Sequence, residues 1–562
     1  MGSELGITAE SKPAADYSPV SIWWTTWAAV WTVAVALGMA YLIARRDTPV
    51  LRIRSLGLSL SAIVLLHLYY TIVQFGTMIG AIMPGDTQYW VMGIYLPCGM
   101  ALFYGSNTYF LHVAKLQKRF APYGSRSGDV PASNQGGILG RFRRLSYTTR
   151  VVILVGIAMV FQVFLTILMW LISKKFHSSW GIPGTEVHGS PMAVKTEQGR
   201  GWEWWPGVLS QVFWCWIVAP IILWRSRNIH DTQGWRLQTI ACAVAGLPAT
   251  PMWLIALYVP GMEVVNKYWI PPQWICASIL VIEIFTIFLP CWEVMRHQSL
   301  QQETLDAIAQ WEKRTKGSGG DEKSLGSTAT MVESMMSGWK STNGSVKTTS
   351  SRESILNMSA LEYVLDRNPT PLQKFSALHD FSGENVAFLT SVAEWKALVP
   401  QALREGPGDK NNAAKDAIRE AFNQALYIYA EFISVRHAEF PVNISSQDLR
   451  KLESIFEAPA KILYGADSEA NPATPFNKAT FDFNSQPSPI YSEFSQSSVS
   501  AIKDRAQYWG DVPESFTAGV FDDAENSIKY LVLTNTWPKF IKSQRRVSMD
   551  SAETLRSGME VV

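Results

Sequence analysis

Residues 151–171 read VVILVGIAMVFQVFLTILMWL, a stretch with no charge and only Gln162 and Thr166 as hydrogen-bonding side chains apart from the Trp170 indole. At 1.5 Å of rise per residue such a helix covers roughly the 30 Å hydrocarbon thickness of a bilayer. Six further stretches have the same character: 22–43, 56–79, 90–111, 206–224, 237–259 and 272–292. A soluble helical core holding seven such runs would leave little polar surface, so the first half of this 562-residue chain is expected to be a seven-helix membrane bundle. Cys98, Cys215, Cys242, Cys276 and Cys291 all fall inside these runs. They read as small buried hydrophobes, with no disulfide framework or zinc spacing. Only Lys12 is basic ahead of the first run, which is longer than a signal-peptide core and lacks a small-residue cleavage site; it is expected to stay as an anchor.

The connecting segments test this division independently, because cytoplasmic loops are rich in Lys and Arg. The first carries Arg45, Arg46, Arg52 and Arg54, and the fifth Arg225, Arg227 and Arg236. The third carries Lys115, Lys118, Arg119, Arg126, Arg141, Arg143, Arg144 and Arg150. The alternate loops are acidic or balanced. The N-terminus is therefore expected outside and the C-terminus inside. Eighteen of the 23 tryptophans lie at or before Trp292, many near span ends, such as Trp23, Trp24, Trp90, Trp224 and Trp269, where indoles favour the membrane interface. An aromatic ligand cage at Trp202, Trp204 and Trp205 is the alternative to lipid anchoring there. A net charge of +2 gives no footprint for nucleic acid.

Polar groups inside the spans are costly and therefore informative. Glu283 is the clearest, and His67, Gln74, Asn107, Gln162 and Gln211 are expected to join it in an interior polar site, whether for a ligand or for helix-to-helix bonding. Pro248, Pro251 and Pro290 should loosen the last two helices. The third span ends Phe110-Leu111-His112 and the seventh has no Asn-Pro-x-x-Tyr, so rhodopsin-type coupling is not indicated.

Beyond the spans, residues 295–314 have helical spacing of Leu300, Leu305, Ile308 and Trp311, giving a membrane-proximal helix. Residues 315–355 are too poor in apolar groups to offset chain entropy and read as a Ser/Thr-rich tether. The sequons at Asn343, Asn357 and Asn443 lie on the cytoplasmic side of this topology and should stay unmodified. Amphipathic runs at 384–398, 413–434, 447–456 and 518–535 make residues 356–543 an all-helical domain with a long insertion near 465–497, followed by a tail at 544–562 that includes Ser548 as a phosphorylation candidate.

Within that domain, Phe381-Ser-Gly-Glu-Asn-Val-Ala-Phe-Leu389 resembles the signature of regulator-of-G-protein-signalling (RGS) domains, in which a Glu-Asn pair precedes an aromatic helix. Ile428-Tyr-Ala-Glu-Phe-Ile433 and Pro441-Val-Asn-Ile444 resemble the family's middle helix and following loop. Phe521-Asp-Asp-Ala524 through Leu531, then Trp537-Pro-Lys-Phe-Ile-Lys-Ser543, resemble its final helices. With the spans, the chain is similar to the receptor-like RGS proteins of fungi and plants. The resemblance implies a bundle of about nine helices that grips the switch regions of a G-protein α subunit (Gα) through Glu384, Asn385, Asn443, Leu531, Asn535 and Lys539. It implies GTPase activation without a catalytic residue, metal or cofactor of the chain's own, at the plasma membrane. Where the family usually has Asp this chain has Asn535, and where it often has Arg, Lys539. Those exchanges remove a charge-assisted acceptor and a planar fork. A transporter with Glu283 as coupling carboxylate is the competing reading; no paired half-helices or inverted repeat support it.

Overall fold

The computed structural model describes residues 7, 12–121, 142, 145, 147–317, 356–404, 412–464 and 507–544. Among these residues the chain is all-helical; an isolated bridge between Ser173 and Ile182 takes the place of any strand. Residues 318–355 of the tether, the 465–497 insertion and all of the C-terminal tail except residue 544 lie outside the described residues.

Six helices are long and apolar enough to cross a membrane: α1 (Pro19–Ala44), α2 (Leu56–Ile79), α4 (Tyr147–Ile172), α5 (Trp202–Ser226), α6 (Trp235–Tyr258) and α7, whose apolar part covers Gln273–Asp306. The remaining expected span is α3 (Gly85–Gln117), an unbroken helix of 33 residues that is more polar than the six. Its position explains its composition. Most of α3 is buried against α2, α4 and α5, so Gln88, Ser106 and Asn107 meet protein on every side. By contrast, only 17% of the apolar windows of α1 and α4 is buried. Val30, Val33 and Leu37 on α1 and Ile157, Val160, Phe161 and Phe164 on α4 form an exposed apolar belt far larger than a soluble surface tolerates.

Three glycines six residues apart let α3 approach its neighbours. A Cβ on Gly93 would lie 2.8 Å from Thr166, on Gly99 2.7 Å from Leu66, and on Gly105 2.7 Å from Val155. Prolines shape the later helices as their missing N–H requires. Pro248 divides α6 between Gly246 and Ala249, and the Leu247 carbonyl accepts the Trp216 indole N–H at 3.2 Å. Pro220 and Pro290 are each preceded by a widened π-turn, Phe213–Val218 and Ile284–Phe288. Beyond that turn α7 continues as one helix, Leu289–Gly317. The membrane-proximal segment expected at 295–314 is helical and runs on from the last span without a break, since nothing in 289–317 interrupts the backbone ladder.

The second half forms α8 (Met358–Arg367), α9 (Thr370–Phe375), α10 (Gly383–Leu398), α11 (Asn412–Ile428), α12 (Ser446–Tyr464) and α13 (Asp522–Leu531). Helices α9, α11 and α13 each end in a π-turn, at Ser376–Asp380, Tyr429–Ile433 and Val532–Thr536, and α13 then resumes over 537–544. The run expected at 447–456 continues to Tyr464, because Leu452, Phe456, Pro459 and Ala460 keep one face buried. The run expected to begin at 518 starts at Asp522, where three acids fill the first helical turn. Phe388, Phe422, Phe432, Phe456, Phe521 and Trp537 are fully buried in a core separate from that of the membrane bundle. A third cluster joins the two halves, with Phe110 and Trp235 from the bundle packed against Phe381 and Phe440. It lies at the end of the bundle whose connections carry Arg54 and Arg119.

The close approach of α3 gives a direct expectation. Gly99→Val should overpack the α2–α3 contact and cost about 1–3 kcal/mol, seen as a lower melting temperature in detergent. Gly156→Ala, whose added Cβ meets nothing within 4 Å, should leave it unchanged.

Candidate functional site

The densest polar constellation outside the bundle is centred on Asp380, a residue with no exposed surface at the end of the π-turn that follows α9. Its Oδ1 accepts from Lys539 Nζ at 2.8 Å and Thr232 Oγ1 at 2.9 Å, and its Oδ2 from Ser382 Oγ at 2.9 Å and Thr536 Oγ1 at 3.0 Å. Burial works against the carboxylate, but the Lys539 charge and these donors outweigh it and hold Asp380 below its ordinary range. The next residue, Phe381, has left-handed backbone at φ 51°. That conformation usually belongs to glycine at a helix end. Here it is held by the Ser382 N–H bond to the Ser376 carbonyl at 2.9 Å and by the ring, which packs 6.0 Å from Phe110.

The membrane half supplies the rest of the site. The loop between α5 and α6 is shaped by Asp231, whose carboxylate caps the N–H groups of Trp235 and Arg236, and by Gly234 at φ 70°. This presents Thr232 and Gln233 to the domain: Thr232 N–H donates to the His379 carbonyl at 2.9 Å, and Gln233 Nε2 to the Asp380 carbonyl at 2.7 Å. At the end of α3, Gln117 uses both ends of its amide. Its Oε1 accepts the Gly383 N–H at 3.0 Å, an orphan donor of the first turn of α10, and its Nε2 donates to Glu384 Oε2 at 2.9 Å. Phe120 fills the space beside Gly383, where a Cβ would fall 2.8 Å from its own Cβ, and reaches Phe432 and Phe440. Arg119 Nη1 lies 3.4 Å from Glu439 Oε2. Burial raises the Glu439 carboxyl to about 7 despite that cation.

Of the six residues expected to contact Gα, four meet in this region. Glu384 and Asn385 begin α10; Asn535 and Lys539 lie one turn apart around the end of the α13 π-turn. The Ser382–Thr536 contact at 3.2 Å ties the two helices together. Asn385 and Asn535 are buried, at 6% and 5% exposure, and Asn535 lies beside His297 on the extension of α7. Leu531 is half-buried one turn earlier. Asn443 is exposed, two residues beyond the Phe440-Pro441 pair at the seam. Sequence reasoning missed Asp380, Gln117, Thr232 and Gln233. The one available signal was Asp380 itself, an acid directly before the quoted 381–389 motif.

The intramembrane polar residues divide into separate groups. Glu283, fully buried, accepts from the Trp31 indole and pairs with His67 Nδ1 at 2.8 Å. The Thr32 hydroxyl spends its proton on the Ala28 carbonyl, so His67 Nε2 must donate to Thr32 Oγ1 at 3.0 Å. Gln74 instead accepts from Gln273 at 2.9 Å, and Gln162 donates to the Gly93 carbonyl at 3.1 Å. Asn107 is buried with its Oδ1 unpaired among the described residues. Gln211 lines a cavity of about 40 Å³ with Tyr89, Thr166, Glu203 and Trp204. That is room for a few waters, well short of a drug-sized ligand. Of the expected aromatic cage, Trp204 alone borders this cavity; Trp202 and Trp205 are exposed at the helix margin, which suits lipid anchoring. No single interior network forms, because the polar positions face different helix pairs.

No family model, no curated protein and no solved structure matches this chain.

Two outcomes follow from the Asp380 site. Asp380→Ala should leave Lys539 without its counter-charge and lower stability by about 3–5 kcal/mol, and adding Lys539→Met should recover part of that loss in thermal melts of the full chain. Glu439 titrates in the opposite sense. Its folded value lies above the ordinary one, so its contribution to stability is complete below pH 4.5 and is lost as pH rises through about 7. The melting temperature of Glu439→Gln should lack that part of the decline between those limits; an identical slope in both proteins would contradict the assignment.

Proposed function

We propose that this chain is a seven-span membrane protein whose helical second half is an RGS-type domain that accelerates GTP hydrolysis by Gα. The support for seven crossings is geometric. Helix α2 ends beside the segment where Lys195 Nζ donates to the Ala81 carbonyl, and α4 begins where Tyr147 Oη donates to the Thr108 carbonyl. The chain must return between those ends. A helix of 33 residues is about 50 Å long, enough for α3 to cross through the protein-lined centre. An odd number of crossings puts the two termini on opposite sides, and the Lys/Arg-rich connections give the cytoplasm to the end that carries the helical domain.

The observation that carries the functional reading is the convergence of Glu384, Asn385, Asn535 and Lys539 around Asp380, from segments about 150 residues apart in sequence. Such a face presents amide side chains that both donate and accept, suited to the exposed main chain of a switch segment. Gα carries its catalytic arginine in cis and hydrolyses GTP slowly, at roughly 10⁻² per second. A partner that binds the switches best in their transition-state arrangement accelerates the step without contributing a nucleophile or base. Lys539 reaches Asp380 Oδ1 at 2.8 Å as a single-point donor, and Asn535 is neutral, so the face relies on neutral hydrogen bonds more than a charged pair would. The membrane bundle raises the local concentration of the domain near lipid-anchored Gα.

Single-turnover GTP hydrolysis by purified Gα tests the reading. Residues 356–543, which hold a core of their own, should accelerate it at least tenfold, and Asn443→Ala with Asn385→Ala should abolish the effect. An unchanged rate with a folded domain would refute GTPase activation.

A further inference from the structure

We infer that the membrane bundle holds the helical domain in a self-blocked state, with the face that would grip Gα docked on the bundle, and that Gα is engaged only when this seam opens. The inference rests on the reading under Proposed function and concerns the regulation of that same face.

Four of the six residues in question are already committed. Glu384 accepts from Gln117 at 2.9 Å, Asn385 and Asn535 are buried, and Lys539 is held by Asp380, itself gripped by Thr232 at 2.9 Å. Asn443 is exposed and Glu384, Leu531 and Lys539 are half-buried, while Asn385 and Asn535 are closed off, so a partner would reach the amide pair at the centre of the face only after the seam had parted. The contacts that cover it come from three separate pieces of the bundle: the end of α3 with Gln117 and Phe120, the α5–α6 loop with Thr232 and Gln233, and the extension of α7 with His297. A ligand or lipid change that shifted any of these helices would alter the grip, since coupling needs only an element with two arrangements.

The seam is also built to separate. Asn385 Oδ1, Asn535 Oδ1, Gln233 Oε1 and His297 Nε2 are buried there without a hydrogen bond among the described residues. Buried polar atoms left unmet oppose the packed state. Asn385 and Asn535, two of the residues meant for a partner's main chain, are among those left unsatisfied. A backbone segment of Gα would supply what the bundle does not. Phe381, in its left-handed conformation against Phe110, is a second place where docking is held at a local cost.

The test compares the full chain in lipid nanodiscs with two variants altered only in the bundle, Gln117→Ala/Phe120→Ala and Thr232→Ala/Gln233→Ala, using purified Gα loaded with labelled GTP. If the competent, open state is about a tenth populated, both variants should accelerate single-turnover hydrolysis roughly tenfold more than the wild-type chain at equal concentration. Two variants on different segments of the bundle guard against a folding defect in either. Equal stimulation by wild type and variants would overturn self-blocking while leaving GTPase activation intact. Weaker stimulation by folded variants would also overturn it, because docking would then assist Gα. If the wild-type chain, the variants and residues 356–543 all leave the rate unchanged, GTPase activation itself fails and the inference falls with it.

Discussion

A single buried carboxylate holds the two halves of this protein in register. Asp380 has no contact with water, yet it stays ionised because Lys539 and three hydroxyl groups converge on it, one of them from the membrane bundle. Two buried charges are tolerated only when geometry satisfies both. The arrangement therefore fixes the end of α9, the start of α10 and the far end of α13 relative to the α5–α6 loop. The same segments also place Phe375, Phe388 and Trp537 in the domain core and Phe381 in the cluster that joins the halves, so the carboxylate adds register to positions that apolar packing already favours.

From that constraint the rest of the seam follows in order. With residues 379–382 held, the first free N–H of α10 points at Gln117, and the acidic side chain of Glu384 receives the same amide's other end. With Gly383 lacking a side chain, Phe120 can enter beside it and join Phe432 and Phe440. Aromatic rings fill the seam, while hydrogen bonds set the register. Asn385 Oδ1 and Asn535 Oδ1 remain unmet there, which counts against the docked arrangement.

The sequence revealed the membrane half well and the seam hardly at all. Six of the seven expected runs are helices long and apolar enough to cross a membrane, and α2 spans the expected 56–79. The more polar run at 90–111 belongs to the most enclosed helix, where protein and not lipid is the solvent; hydropathy alone cannot register that difference. Pro248 and Pro290 predicted disruption, and the form it took, a break in one helix and a widened turn in the other, depends on neighbours such as Trp216. In the second half, amphipathic spacing located the helices to within a few residues, apart from the Pro459-containing extension of α12. What periodicity could not supply was partnership. Glu384, Asn535 and Lys539 are legible as polar residues on helices, but nothing local says that Gln117, His297 and Asp380 complete them across 150 to 270 residues of chain. The same holds for Glu283, which was conspicuous while its partners Trp31 and His67 lie more than 200 residues away.

Hydrogen exchange addresses the docked seam most directly, by comparing backbone amides of residues 376–390 and 532–540 in the full chain, held in lipid nanodiscs, with those in residues 356–543 alone. The account predicts strong protection of the amides at 380–385 in the full chain and much faster exchange in the isolated domain, with the core helix α11 equally protected in both. Equal protection at 380–385 in the two proteins would contradict docking and leave the bundle and the helical domain as independent units joined only by their tether.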